Sequence, residues 1–419
     1  MGTAGMTASW RILWGIVVIM LVVLGAACGS GLEQGAAAGG NGAGGGLDAN
    51  GCVVGYDGSR DLFPTKATFQ HARTLSIDYH NSYKVVTVQR PWPENTEPLR
   101  YVLVHCGTAA PALSGELAGA TVIEVPVRRA AVMTTTVLPY FERFDAVARI
   151  VGVNEPDQVN TPTVIRAIES TAITETGQNE KANLETLTSL DPDVIVTVKQ
   201  GDPAGLDRLR QAGFTVVVNG STSEDTALGR NEYETKLIGA LLNREADAER
   251  SFTEVDIRYT VMAQRAAAVT NKPTVYAGQP TGAVWNTPGG LHWQARLFQD
   301  AGADFLYSDQ PQRGSLQLDL EAVLDKAGNA DFWFQNTGKP WETLADARAE
   351  EPRLDNFAAF REGRFIGLRT FQVKGTGEND FWEQGVSRPD LLLEDIISVI
   401  HPELAPGHQL RFFRVLPAN

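Results

Sequence analysis

Two arginines, a run of hydroxyls and several tryptophans are the residues best suited to hold a small molecule. Arg369 ends "FIGLRT" and Arg230 lies in "ALGRNEYE". A guanidinium makes charge-assisted hydrogen bonds about twice as strong as neutral ones, which suits an anionic guest, although Arg230 could equally support the junction where a helix starts. Thr134, Thr135 and Thr136 close "RAAVMTTT", and "TGAVWNTPGGLHW" offers Trp285 and Trp293 as a rigid aromatic wall. Trp293 could instead be buried in the helix that follows. "QVKGTGENDFWEQG" reads as a glycine-hinged loop able to cover a ligand with Phe381 or Trp382, with Asp380 as a turn residue.

Reactive machinery is missing from this inventory. No Gly-x-Ser-x-Gly elbow and no His-Glu-x-x-His helix occurs, which weighs against an extracytoplasmic hydrolase, the rival from another class. A receptor for free Zn²⁺ or Mn²⁺ would need several ligands to converge. Of six histidines only His292 falls in a candidate loop. The net charge of −14 disfavours a nucleic-acid partner, yet a few arginines can still line one cleft.

The elements that would position these residues begin after a leader. Arg11 precedes the apolar run Ile12–Leu24, about 13 residues, which fits a signal peptide over 1–27 better than a membrane span of ~20; an uncleaved anchor helix is the alternative. Leu24-Gly25-Ala26-Ala27-Cys28 resembles the lipobox of bacterial lipoproteins, with Gly25 where an aliphatic residue is usual. That resemblance implies a diacylglyceryl group on Cys28, a membrane anchor facing the extracytoplasmic side. Within a tether over 28–48, Gly29 to Gly46 is mostly Gly and Ala, and its roughly 18 residues span about 23 Å as a coil. With Cys28 assigned to the anchor, Cys52 and Cys106 are left as a possible disulfide pair, two unpaired thiols being the alternative. Closing that loop is worth roughly 4 kcal/mol in the chain-entropy account.

Residues 49–121 read as a small antiparallel β extension: "RTLSIDYHNSYKVVTVQRPW" alternates on both sides of His80-Asn81-Ser82, and "LRYVLVHC" offers a third strand. From Val122 strands alternate with helices, predicting an α/β fold of two Rossmann-like lobes, 122–230 and 269–419, on mainly parallel sheets. Between them Leu241, Ala248, Phe252, Val255, Tyr259 and Met262 recur at helical spacing. They predict one long linking helix over 231–268, or two helices split near Asn243-Arg244. Ligands of open α/β sheets sit beyond the carboxyl ends of strands. That selects Thr134–Thr136, Lys199, Gln200 and the stretch up to Arg230 in the first lobe. In the second it selects Trp285, Asn336 to Trp341, and Arg369 to Trp382.

This pattern resembles the helical-backbone substrate-binding proteins of ABC importers, which capture iron–siderophore complexes, haem or cobalamin. "NLETLTSLDPDVIVT" carries the likeness in the first lobe; "TGAVWNTPGGLHWQARLFQDAGADFLYSDQ" and "LDLEAVLDKAGNADFWF" carry it in the second. The resemblance implies a monomeric, non-enzymatic receptor without a cofactor, whose ligand is a metal chelate, an iron–siderophore complex first among them. It implies delivery to an ABC permease with its own ATPase, and docking of Glu185 and Glu321, each in a Leu-Glu pair opening a helix, onto permease arginines. Haem would want an axial His or Tyr, for which His292 and Tyr140 are candidates.

Overall fold

Period-two alternation in "LSIDY" and "YKVVTV" gives the hairpin β1 (Leu75–Tyr79) and β2 (Tyr83–Val88), and β3 (Leu99–His105) adds to it antiparallel. The computed structural model describes residues 46–92, 95–178, 181–198, 203–336, 341–369 and 380–418. The leader, Cys28 and most of the tether lie outside them, as do Lys199, Gln200, residues 337–340 and 370–379.

A fourth strand, β4 (Thr121–Val125), pairs with β3 in parallel, so Val122 belongs to this sheet and the α/β lobe begins later. Cys52 and Cys106 are bonded, with Cα atoms 4.8 Å apart. Phe63, Leu75 and Val86 share one apolar core with Val132, Ile150 and Tyr233, so the sheet is built into the first lobe. Two buried carboxylates pin it there. Glu232 accepts from the backbone N–H groups of Gln70, His71 and Ala72, and Glu224 from those of Arg73 and Thr74.

The first lobe runs β5 (Ala130–Val132), α1 (Leu138–Arg143), β6 (Ile150–Val153), α2 (Pro162–Glu169) and β7 (Thr174–Glu175). It continues with a ribbon of β8 (Gly177–Gln178) and β9 (Lys181–Ala182), α3 (Leu184–Leu190), β10 (Val194–Thr197), α4 (Pro203–Gln211) and β11 (Val216–Val218). Its sheet is all parallel, in the order β11-β10-β5-β6-β7. The strands are near-continuous runs of Val, Ile and Ala, as burial on both faces requires.

The single linking helix gives way to the alternative, two helices split at Asn243-Arg244, which form a helical hairpin. α5 (Ala227–Leu242) ends where Asn243 turns left-handed at φ 53°, and α6 (Glu245–Ala267) returns. Asparagine tolerates that conformation and stops a helix. Ala227 and Leu228 lie in the second lobe's core and Leu237–Leu242 in the first; α6 reverses the direction, from Ala248 in the first core to Ala266 in the second. At 1.5 Å per residue α6 spans about 35 Å. The lobes are thus braced by two packed rods.

The second lobe contains β12 (Thr274–Ala277), β13 (Gln279–Thr281), β14 (Val284–Pro288), α7 (Trp293–Asp300), β15 (Asp304–Phe305), β16 (Ser315–Leu318) and α8 (Leu320–Ala327). Then follow β17 (Phe332–Phe334), α9 (Leu344–Glu350), α10 (Ala358–Arg361), β18 (Phe365–Leu368), α11 (Pro389–Ile400) and β19 (Phe413–Val415). The sheet β15-β12-β17-β18-β19 is parallel except for β19, and a small β13-β14-β16 sheet stands beside it. The two five-stranded sheets share no strand. The fold class read from the sequence, α/β with two lobes, holds.

Candidate functional site

A cleft of about 1150 Å³ lies between the lobes, walled by segments that follow β5, β6, β10 and β11 on one side and by α7 and residues 382–383 on the other. Polar residues at or after the ends of β5, β6, β10 and β11 face it, among them Thr134, Asn154, Thr197 and Thr222. β5 runs directly into Thr134, Thr135 and Thr136, the latter two in a 3-10 turn before α1. The Thr134 and Thr136 hydroxyls are 3.3 Å apart, and Thr136 donates to Glu234 at 3.0 Å. The same Glu234 oxygen accepts from Asn219 Nδ2 at 2.9 Å and the Ser221 hydroxyl at 2.6 Å, which locks the floor of the cleft.

Arg230, one turn into α5, is the chief charged group of that floor. It is 4% exposed, its Nε lies 3.9 Å from Glu234, and its guanidinium sits over the Trp293 ring at 5.4 Å. Burial pulls its pKa below the usual guanidinium value, and the Glu234 carboxylate opposes the shift. Nε is buried with no hydrogen-bond partner among the described residues. A buried, charged donor left unsatisfied is costly unless a guest accepts from it.

Trp293 opens α7, which is reached through Pro288-Gly289-Gly290. A Cβ on Gly290 would lie 2.3 Å from the Ser308 carbonyl oxygen, so only glycine lets this turn pack closely enough to set His292 and Trp293 at the cleft. Trp293 is 2% exposed, buried as the alternative held, and it also lines the cavity. Burial, then the Arg230 charge, pull the His292 pKa down to about 3. Its Nδ1 accepts from the Gln294 N–H at 3.2 Å, which assigns the ring proton to Nε2.

Trp382 reaches the cleft as expected, packed edge-on to Trp293 with centroids 6.0 Å apart. It belongs to a π-helical turn, Phe381–Gly385, whose first residue is buried. Asp380 caps that turn by accepting from the Gln384 N–H, which confirms its structural role. Beside it Glu383, unremarked in the sequence, also lines the cleft. Its carboxylate accepts from Asn160 N at 2.8 Å and Thr161 N at 2.6 Å, across the gap between the lobes. Burial, with Asp380 nearby, pushes its pKa up to about 8 against those hydrogen bonds.

Three expected positions are corrected. Trp285 is fully buried in β14, packed on Phe357 and Trp333 at 5.2 and 5.9 Å; the β13–β14 hairpin turns it into the second lobe's core. Arg369 follows β18, but pairing with β19 directs it away, and its Nη1 donates to the Leu410 carbonyl. Tyr140 is buried, and its hydroxyl accepts from Asn231 Nδ2. Within the 336–341 loop, Asn336 and Trp341 are buried and neither lines the cleft. Residues that the strand-end rule did find without naming include Arg208 and Thr222, while Asn154–Asn160 after β6 and the Lys181 ribbon went unsingled.

Glu185 and Glu321 occupy equivalent places. Each is the second residue of its helix, α3 or α8, each is exposed, and the caps Asn183 and Asp319 accept from Thr186 N and Ala322 N. Two matched carboxylates, one per lobe, stand on the surface.

The sequence profile described as periplasmic binding protein matches residues 131–370. An uncharacterized lipoprotein of Methanocaldococcus jannaschii is 22% identical over 303 residues, 70% of this chain and 69% of its own. A periplasmic haem-binding protein from Pseudomonas aeruginosa is similar in structure with a TM-score of 0.52 at 18% identity, over 68% of this chain and 97% of that one. An ABC-type Fe³⁺-hydroxamate transport protein from Saccharomonospora viridis gives 0.51 at 16% identity, over 66% and 94%. These likenesses establish a common two-lobe fold.

Proposed function

Since the chain belongs to the periplasmic binding protein family, whose members bind solutes and are not enzymes, we propose that it is a lipid-anchored extracytoplasmic receptor for an anionic metal chelate, foremost an iron(III)–siderophore complex, which it delivers to an ABC permease. The observation that carries this reading is Arg230 at the cleft floor, its Nε without a hydrogen bond among the described residues and its guanidinium backed by Trp293. A cleft of about 1150 Å³ exceeds the ~300–1,000 Å³ typical of drug-sized ligands. Bulky chelates of several hundred daltons suit it, and bare ions do not. The lipobox at Cys28 and the lipoprotein relative support the anchor. Exposed Glu185 and Glu321 support docking on a two-fold permease, fixing orientation more than adding affinity.

Haem is the second reading, favoured by His292 at the cleft wall and by the haem-binding neighbour. The Nδ1 cap bond weighs against it, because it leaves Nε2 protonated and unable to ligate iron without losing that bond. Tryptophan-fluorescence quenching with a ferric hydroxamate siderophore, haem and cobalamin tests the assignment. Saturable quenching by the siderophore is expected; saturation by haem or cobalamin alone would overturn it.

A further inference from the structure

A second cavity, of about 490 Å³, opens where the β extension meets both lobes. Arg73 and Arg90 come from the extension, Ser223 and Asp225 from the segment before α5, and Arg313 from the second lobe. The charges around it do not cancel. Asp225 pairs with Arg313, and the Glu224 oxygens are occupied by the Arg73 and Thr74 N–H groups and the Thr74 hydroxyl. His71 is 3.1 Å from Asp256. Arg73 and Arg90 have no carboxylate partner among the described residues. Burial, then the neighbouring Arg90 charge, depress the Arg313 pKa, so two guanidinium groups repel each other across the hollow.

A buried hydroxyl completes the picture. Ser223 is 1% exposed, lines the cavity, and its Oγ has no hydrogen-bond partner among the described residues. A lining with more cations than anions, Arg73, Arg90 and Arg313 against Glu224 and Asp225, beside an unsatisfied buried hydroxyl is complementary to an oxyanion. Arginine forks match the geometry of phosphate oxygens in particular. The volume falls within the range of small-molecule sites, room for more than a bare phosphate.

We propose that this cavity binds a phosphate group, carried on a small monoester or free, with Arg90 and Arg313 as the clamp and the Ser223 hydroxyl as a third donor. The proposal is independent of what fills the ligand cleft. Thr222 lines that cleft and Ser223 lines this cavity on the same 3-10 turn, so the two sites stand back to back.

Titration calorimetry of the purified full-length protein with glycerol 3-phosphate, inorganic phosphate and acetate tests it. One-to-one binding of a phosphate compound is expected, tighter for the ester if the whole cavity is used and tighter for the free ion if only the clamp is. Arg90→Gln, whose side chain has no ion-pair partner among the described residues, should weaken it about tenfold to hundredfold, the value of a charge-assisted hydrogen bond. Ser223→Ala should weaken it several-fold. The double change Arg90→Gln with Arg313→Gln should abolish binding while a ferric chelate still quenches tryptophan fluorescence normally. Absence of phosphate binding at about 10 mM, equal binding of acetate, unchanged affinity in Arg90→Gln, or competition between phosphate and the chelate would each overturn the proposal.

Discussion

The guanidinium of Arg230 lies 5.4 Å from the centroid of the Trp293 ring, so a cation on α5 and an indole on α7 meet where the lobes face each other. Trp382 abuts the same indole. The cation is held by an aromatic face and one distant carboxylate, and its Nε has no hydrogen-bond partner among the described residues.

Arg230→Gln should therefore weaken binding of an anionic ferric chelate about tenfold to hundredfold, because a hydrogen bond to a charged group is worth ~1.5–3 kcal/mol. Arg230→Lys should recover only part of the loss, since an ammonium lacks the planar fork and stacks less well. Fluorescence titration measures both. Wild-type affinity in Arg230→Gln would show that the cleft recognises its guest without this charge.

Glu185→Ala together with Glu321→Ala should abolish chelate uptake by whole cells while leaving the affinity of the purified receptor unchanged. Both side chains are exposed and neither lines the cleft, so a loss of affinity is not expected on structural grounds. Uptake at the wild-type rate would refute docking and leave the pair as ordinary residues favouring helix N-termini.

The layout of lobes was legible because buried parallel strands read as short apolar runs between amphipathic helices. Asn243 shows where that logic runs out. Leu241 and Ala248 keep helical spacing on both sides of the break, since each helix turns its apolar face to the same core. Trp285 failed for another reason: the strand-end rule speaks of parallel strands, and this residue sits in an added antiparallel hairpin. Glu383 could not have been found at all. Its partners Asn160 and Thr161 stand more than two hundred residues away, and no local pattern encodes that meeting.

Glu383 also gives the molecule a pH dependence of definite sign. Its folded pKa of about 8 lies above the ordinary 4.5. The stability it contributes is thus full below the unfolded value and lost as pH rises through about 8. Glu383→Gln should flatten the fall in Tm between pH 6 and pH 9 that the wild type shows. Chelate affinity should fall over the same window as a negative charge develops beside the guest. His292 takes no part, because burial and the Arg230 charge hold its pKa down at about 3, whereas Asp380 in the same turn, pushed up to about 7 by burial, adds to the fall. Affinity that stays flat from pH 6 to pH 9 would contradict the raised carboxyl pKa beside the guest.

The helical hairpin can be tested at its closest approach. A Cβ on Gly239 of α5 would lie 2.6 Å from the Ala248 Cβ of α6, nearer than side-chain carbons come. Two effects compete in Gly239→Ala. Helix propensity favours alanine by about 1 kcal/mol, while overpacking a tight contact costs typically ~1–3 kcal/mol. Both neighbours are backbone-borne carbons in a buried seam, so neither can rotate aside, and the clash should win. A lower Tm and urea midpoint are expected. Adding Ala248→Gly reopens the gap, so the double variant should regain the contact cost and show a favourable coupling energy of ~0.5–3 kcal/mol in the cycle. If Gly239→Ala alone stabilises the protein by about the propensity difference, the two rods do not touch there, and the lobes are not braced by a packed pair.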